Sequence, residues 1–203
     1  LPPMDLSNMA DVDPVCKKIV QDYCAHWFDI RKVLAKHMDI VEMAVLQTFM
    51  RDHGALIAGS IVLEFFERTR YEGSTLDLYI EVTHSDLLLR WLRVHYDPTG
   101  VTHFGSNSTH MKWVSSLYTF CRKKSIVQLF QFWKPNCVSS MFSASLTLTL
   151  HVACLMNVIT HSAAYSFFPD ETFERKVAMP TNCTYPVNCA LYQKYRSRGW
   201  TIL

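Results

Sequence analysis

The 203-residue sequence lacks several features that would assign a protein to a class on composition alone. Its net charge is only +2, too small to indicate a nucleic-acid or anionic membrane surface. The longest apolar segment, 146–159, is interrupted by Thr, His and Asn and is too short to span a bilayer. The first residues carry neither the basic nor the apolar region of a signal peptide. We therefore expect a cytoplasmic protein without membrane contact, and nucleic acid is not an expected partner.

The seven cysteines also lack a recognisable pattern. No Cys-x-x-Cys pair occurs, so neither a zinc ribbon nor a thioredoxin-type site is indicated. An odd number of cysteines without regular spacing is typical of reduced, mostly buried thiols. The hydrophobic share of 49% and the charged share of 19% predict a folded chain with a sizeable core rather than a disordered one.

The first part of the chain, 1–53, predicts a helical extension. Residues 1–12 have the composition of a loose terminus, and apolar positions at helical spacing predict one helix from Asp13-Pro14 to about residue 37. A second helix is predicted over 40–53, and Gly54 is expected to end it.

The remainder, 54–203, predicts an α/β (α+β) domain in which a mixed sheet is flanked by helices. Short apolar runs bounded by glycine, and strictly alternating runs, predict strands, whereas apolar positions three and four residues apart predict helices. On these patterns strands are expected at 55–58, 76–82, 117–121 and 126–132, a short one at 101–104, and helices at 61–67, 87–94, 168–176 and 187–198.

The segment that carries chemical information is 54–82. It reads as a strand ending in Gly59-Ser60, a helix that starts there, and a returning strand in which Asp77 alternates with apolar neighbours. This order resembles the nucleotidyltransferase superfamily. In that family the Gly-Ser turn lets the backbone approach a triphosphate, which a helix N-terminus also favours. Two carboxylates at i and i+2, with a third from a neighbouring strand, hold two divalent metals.

The resemblance assigns roles to particular residues and also shows where this sequence departs from the family. Asp77 matches the second carboxylate and would be the catalytic residue and the ligand of a Mg²⁺ cofactor. Gly59, Ser60 and Thr75 would bind the nucleotide, and Arg68 would approach its phosphates. Thr75 stands where the first carboxylate is expected, and a neutral hydroxyl is a weak metal ligand.

The third carboxylate is expected on the strand 126–132, which contains no acid. Either Gln128 or Gln131 occupies its position. Two of the three anionic ligands are therefore expected to be missing, so two-metal catalysis of the standard kind is not expected.

A wider resemblance extends over residues 55–203. The chain is similar to a group of fungal proteins, mainly from mushrooms, that share this motif and several downstream segments. That resemblance implies the fold and carries no function beyond it. The matching segments are Gly54–Ser60, Phe65–Arg68, Ser74–Ile80, Ile126–Phe130, His151–Asn157, Phe168–Glu174 and Lys194–Trp200.

Two further groups of residues permit more than one interpretation. The basic run Arg122–Lys124 would contact triphosphate or nucleic acid, but a solvated hairpin turn is the preferred reading. His151, Cys154 and Asn157 would share one face of a helix. A zinc pair there is conceivable, and buried polar packing is preferred because only two good ligands are present.

The sequence thus leads to three functional hypotheses. The first is a catalytically degenerate nucleotidyltransferase-like protein that binds a nucleoside triphosphate or a protein partner. The second is an active metal-dependent nucleotidyltransferase that uses Asp77 with atypical ligands. The third is a non-enzymatic interaction module, such as an effector or a subunit of a complex.

Overall fold

A computed structural model of the chain describes residues 3–104, 114–133, 152–180 and 189–203. Its N-terminal part consists of the helices α1 (Pro3–Ala10), α2 (Pro14–Trp27), α3 (Ile30–Leu34) and α4 (Ile40–His53). The expectation of a loose terminus was wrong, because α1 occupies most of it. The division of the chain at residues 53 and 54 stays a prediction.

The helix predicted from Asp13 to about residue 37 is in fact two helices. Asp13 caps α2 as expected, since its carboxylate accepts hydrogen bonds from the backbone of Val15 and Cys16. Asp29 is a second cap, and its side chain accepts from the Arg31 N–H to start α3. Helical spacing continues through the break, so the periodicity alone does not reveal it.

Helix α4 has the ends that the sequence predicts. Asp39 and Glu42 form a capping box, in which each side chain accepts from the other's backbone N–H. Gly54 follows the helix with φ of +66°, the left-handed conformation that glycine adopts without strain.

A seven-stranded mixed sheet forms the centre of the molecule, which confirms the predicted fold class. The strand order is β3-β4-β5-β2-β1-β6-β7, and every neighbouring pair is antiparallel except β2 and β5, which are parallel. The strands are β1 (Leu56–Ala58), β2 (Leu76–Glu81), β3 (Asp97–His103), β4 (Val114–Arg122), β5 (Ser125–Phe132), β6 (Asn157–Ile159) and β7 (Ala164–Ser166).

Both faces of the sheet are covered, so the alternation in β2 does not separate a buried face from a solvated one. Leu76, Leu78 and Ile80 pack in a core that also includes apolar residues of α3, α4, α5 (Ser60–Glu67) and α6 (Ser85–His95). On the other face Tyr79 stacks on Phe130, with ring centroids 4.6 Å apart. Apolar residues from the C-terminal part of the chain complete this second core.

The C-terminal part contains short elements. These are a 3-10 turn (Ala153–Leu155), one turn of π-helix (Asp170–Glu174), helix α7 (Ala190–Ser197), and the two-stranded sheet of β8 (Val177–Ala178) and β9 (Thr201–Ile202). A further 3-10 turn, Val82–His84, follows β2. The helix predicted over 168–176 is therefore shorter and wider than expected.

Residues 146–150 and His151 lie outside the described residues. Within the described ranges, every helix is too short or too polar to cross a membrane.

Candidate nucleotide site

The turn between β1 and α5 is built around Gly59. Its φ of +77° and ψ of −152° lie in a region that essentially only glycine occupies. A Cβ atom added here would lie 2.3 Å from Oδ2 of Asp77. Glycine is therefore required twice, by the backbone conformation and by the carboxylate packed against it. Ser60 is the first, buried residue of α5, and its side chain does not cap the helix.

Asp77 is the half-buried carboxyl group at the centre of this site. The Thr75 hydroxyl donates a 2.6 Å hydrogen bond to Asp77 Oδ1, while Oδ2 faces Gly59. Burial raises the pKa of Asp77 to about 7, and the hydrogen bond from Thr75 and the positive charge of Lys194 oppose this rise. The group therefore titrates near neutral pH, which is common for carboxyl groups at functional sites.

The register of β2 and β5 decides which of the two glutamines lies beside Asp77. Asp77 is paired with Gln128 on the parallel neighbouring strand, so their side chains lie on the same face of the sheet. Gln131 points to the opposite face, where its amide donates a 2.7 Å hydrogen bond to Ser85 Oγ. Thr75 and Gln128 thus flank Asp77 at the two expected acidic positions.

Three other acids, Glu64, Glu67 and Glu81, are engaged with partners of their own. Glu64 pairs with Lys36, Glu67 pairs with Lys176, and Glu81 accepts a hydrogen bond from the Thr83 hydroxyl. In the described residues, no group of three Asp, Glu, His or Cys side chains is arranged to hold a metal. Segments 105–113, 134–151 and 181–188 contain no Asp or Glu. A single carboxylate between a hydroxyl and an amide does not fit a two-metal Mg²⁺ site, which needs clustered anionic oxygens.

The C-terminal helix brings positive charge to the site, which the sequence patterns did not single out. Lys194 on α7 donates a 3.0 Å hydrogen bond to the Gly73 carbonyl, in the loop that leads to Thr75. Burial and the neighbouring Arg198 lower the pKa of Lys194, and the charge of Asp77 raises it. Arg198 holds the same loop, since it donates to the Glu72 carbonyl at 2.8 Å.

Not every predicted site residue reaches this place. Gly59, Ser60, Thr75 and Asp77 lie together, but Arg68 lies at the far end of α5, roughly 12 Å along the helix at 1.5 Å per residue. Its guanidinium donates to the Tyr23 hydroxyl at 2.8 Å. The nucleotide-binding roles of these residues stay predictions.

The segment around Cys154 and Asn157 differs from the helix considered for it. Cys154 lies in a 3-10 turn and Asn157 begins β6, so the two do not share a helical face. Both are fully buried, and the Asn157 amide donates to the Cys154 carbonyl at 2.8 Å. Burial also raises the pKa of the Cys154 thiol to about 12, so this cysteine is not a reactive thiolate.

Comparison with known proteins gives a likeness in structure only. No family model matches the chain, and no curated protein matches it. Among solved structures, the chain is similar to CCA-adding enzymes in an apo form, in a complex with CTP and in a complex with ATP, with a TM-score of 0.47 and 11–12% identity. The matches cover 76% of this chain and 36–37% of those chains, so it spans about a third of their length. A likeness at this identity concerns the structure alone and does not assign a ligand or a reaction to this chain.

Proposed function

We propose that Gly59, Ser60, Thr75 and Asp77, here called the Gly59–Asp77 unit, form a nucleotidyltransferase-type site. This site binds a nucleoside triphosphate and has lost two-metal catalysis. The observation that carries this proposal is the position of Asp77 between Thr75 and Gln128, where two further carboxylates would be required. A neutral hydroxyl and a neutral amide do not supply the charge that binds a pair of Mg²⁺ ions.

The arrangement suits a phosphate group that binds without a metal. The first amides of a helix have no partner within the helix, and the turn at Gly59 leaves the N-terminus of α5 without a side-chain cap. Lys194 adds positive charge close to Asp77. Because the pKa of Asp77 is about 7, a large fraction of this carboxyl is neutral at pH 7 and repels an anion less.

Calorimetric titration with ATP, GTP, CTP and UTP tests the proposal. Each nucleotide is titrated with Mg²⁺ and again with EDTA, and incorporation of labelled nucleotide is measured on a panel of acceptors. We expect at least one nucleotide to bind with similar affinity in both conditions and no incorporation. Metal-dependent incorporation into any acceptor would refute the loss of catalysis. The absence of all nucleotide binding would refute the claim that the ligand is a nucleoside triphosphate.

A second experiment rebuilds the missing ligands. In the double variant Thr75→Asp with Gln128→Glu, three carboxylates would share one face of the sheet, and we expect Mn²⁺ to bind where the unchanged protein binds none. The metal is titrated without nucleotide and followed by electron paramagnetic resonance. Thr69→Asp with Gln47→Glu adds the same charge at exposed positions and should leave Mn²⁺ unbound.

An active transferase is the second candidate, and the titration of Asp77 near neutral pH favours it. A carboxyl with this pKa is suited to take a proton from an acceptor hydroxyl. This candidate predicts turnover that Asp77→Asn abolishes while the variant keeps its fold. A lack of nucleotide consumption by the unchanged protein over the acceptor panel would eliminate it.

The third candidate is a module that binds a protein partner. It is favoured by exposed apolar side chains along α2, where Val15 and Ile19 are 68% and 52% exposed and lie one helical turn apart. If they form a contact surface, Ile19→Lys should abolish a concentration-dependent increase in mass measured by light scattering. A mass that does not change with concentration would exclude self-association.

A further inference from the structure

A concave surface lies where β2 and β5 begin, and its lining does not include Gly59, Thr75 or Asp77. It has a volume of about 990 Å³, within the usual range for small-molecule sites. Three segments form its walls: the connection 35–39 between α3 and α4, the loop 70–74 before β2, and the hairpin 122–125 between β4 and β5. We call this surface the basic groove.

Part-buried polar contacts link the walls of the basic groove to one another. Glu64 is fully buried, pairs with Lys36 on one wall, and accepts the Tyr71 backbone N–H of the second wall at 2.8 Å. His37 contacts Ser125 on the third wall, with 2.7 Å between Nδ1 and Oγ. These contacts join the first wall to each of the other two. The groove is therefore a preformed feature and not a gap between loose loops.

Three cations of the groove take no part in the contacts that hold its walls. Arg122 does take part, since it pairs with Glu42 and donates to the His37 carbonyl. Arg70, Lys123 and Lys124 make no ion pair within the described part of the chain. They come from segments about 50 residues apart in the sequence, so a short basic run read by itself does not reveal this convergence.

The groove also contains two acids, which limit its positive charge. Asp39 accepts hydrogen bonds from the first backbone amides of α4, so its charge is partly compensated. Glu72 is exposed and makes no side-chain hydrogen bond or ion pair within the described residues. The uncompensated groups are thus three cations and one anion. Burial lowers the pKa of His37 to about 4, so this imidazole is neutral at pH 7.

We propose that the basic groove binds the oligophosphate group of a small molecule. Three cations around a preformed concave wall match a compact anion with several charges, and the wall also includes the Ser125 hydroxyl. A nucleic acid would need an extended positive surface, which a net charge of +2 and the acids in the groove do not provide. This site is independent of the proposed function, because it shares none of Gly59, Thr75 or Asp77.

Inorganic tripolyphosphate in EDTA is the probe, titrated by calorimetry. We expect binding that weakens by about tenfold or more in Lys123→Ala with Lys124→Ala, the loss of about one charge-assisted hydrogen bond. Arg70→Ala should also weaken it. Glu72→Gln should strengthen it, because it removes the uncompensated anion. Lys17→Ala with Lys18→Ala removes the same charge from the exposed side of α2 and should leave the affinity unchanged.

The same titrations separate this groove from the Gly59–Asp77 unit. The binding step that the double lysine variant weakens should be unchanged in Asp77→Asn, whatever the Gly59–Asp77 unit itself binds. If Asp77→Asn changes tripolyphosphate binding while the double lysine variant does not, the probe binds at the Gly59–Asp77 unit and the proposal fails. The proposal also fails if the unchanged protein does not bind the probe, or if a single-stranded RNA binds more tightly. ATP in EDTA forms the second arm: tighter binding than tripolyphosphate, lost in the double lysine variant, identifies a nucleotide as the source of the phosphates.

Discussion

Gly59→Ala is the most direct test of how the candidate nucleotide site is built. Alanine would have to adopt φ of +77° and ψ of −152°, at a cost of about 1–3 kcal/mol. Its Cβ would also lie 2.3 Å from Asp77 Oδ2, so the carboxylate must move and its hydrogen bond from Thr75 is lost, which adds about 1 kcal/mol. The free energy of unfolding should therefore fall by about 2–4 kcal/mol.

Urea unfolding followed by circular dichroism measures this loss, and two further variants separate its causes. Gly54→Ala also places alanine at positive φ, +66°, but nothing lies within 4 Å of the added Cβ. Gly54→Ala should lower the free energy of unfolding only by the backbone strain, about 1–2 kcal/mol. In an Asp77→Ala background the carboxylate is absent, so the added Cβ meets no clash. Gly59→Ala should then lower the free energy of unfolding by less than it does in the unchanged protein.

Gly59→Ala has one cost in the unchanged protein and another in the Asp77→Ala background, and the difference between them is the coupling free energy of a double-mutant cycle. A positive coupling on the order of 1 kcal/mol is expected if the carboxylate packs on the glycine. A coupling of zero, or a cost of Gly59→Ala no greater than that of Gly54→Ala, would show that Asp77 does not lie against Gly59.

Two other predictions concern ionisation and the framework of the fold. Because burial raises the pKa of Asp77 from its ordinary value of 3.8 to about 7, the folded state binds this proton more tightly, and stability should fall as the pH rises from 4 to 7 and then level off. Urea unfolding of Asp77→Asn should lack this fall. The lowered pKa of His37 acts in the opposite sense below pH 6.5, and it cancels when the two proteins are compared at each pH. Glu42→Gln leaves Arg122 without its anionic partner and should lower the free energy of unfolding by about 2 kcal/mol, a value that allows for the partial exposure of the arginine. A change below 0.5 kcal/mol, the usual size for a surface substitution, would mean that the pair is solvated.

Local patterns in the sequence predict the strand–helix–strand unit well. A strand that ends in glycine, a short amphipathic helix and an alternating strand are all local signals, and β1, α5 and β2 lie within one residue of their expected bounds. The end of α4 at Gly54 is a local signal as well. Local chemistry is enough for these features because it determines the backbone conformation within a few residues.

Features that depend on contacts between distant segments were not predictable in this way. Gln128 and Gln131 were equivalent until the parallel register placed Gln128 beside Asp77. Arg68 is close to the motif in sequence, but it lies at the opposite end of α5. Lys194 reaches Gly73 from 121 positions along the chain, and no spacing rule relates the two.

The neutral residues beside Asp77 also explain how this carboxyl group is tolerated without a metal. Two like charges at about 4 Å repel by on the order of 4 kcal/mol at an effective dielectric constant of about 20, so a cluster of three carboxylates is unfavourable until cations bind. Here the Thr75 hydroxyl instead donates a hydrogen bond to the one remaining carboxylate. The unchanged protein should therefore show the same melting temperature with and without Mn²⁺.

Restoring the acids in Thr75→Asp with Gln128→Glu should lower the melting temperature in EDTA, and Mn²⁺ should raise it again, because the bound metal stabilises only the folded state. The charge-matched variant Thr69→Asp with Gln47→Glu should show no such metal dependence. If the restored variant is as stable in EDTA as the unchanged protein, the introduced carboxylates do not lie beside Asp77. The neutral side chains of Thr75 and Gln128 would then not be the reason why the site is stable without metal.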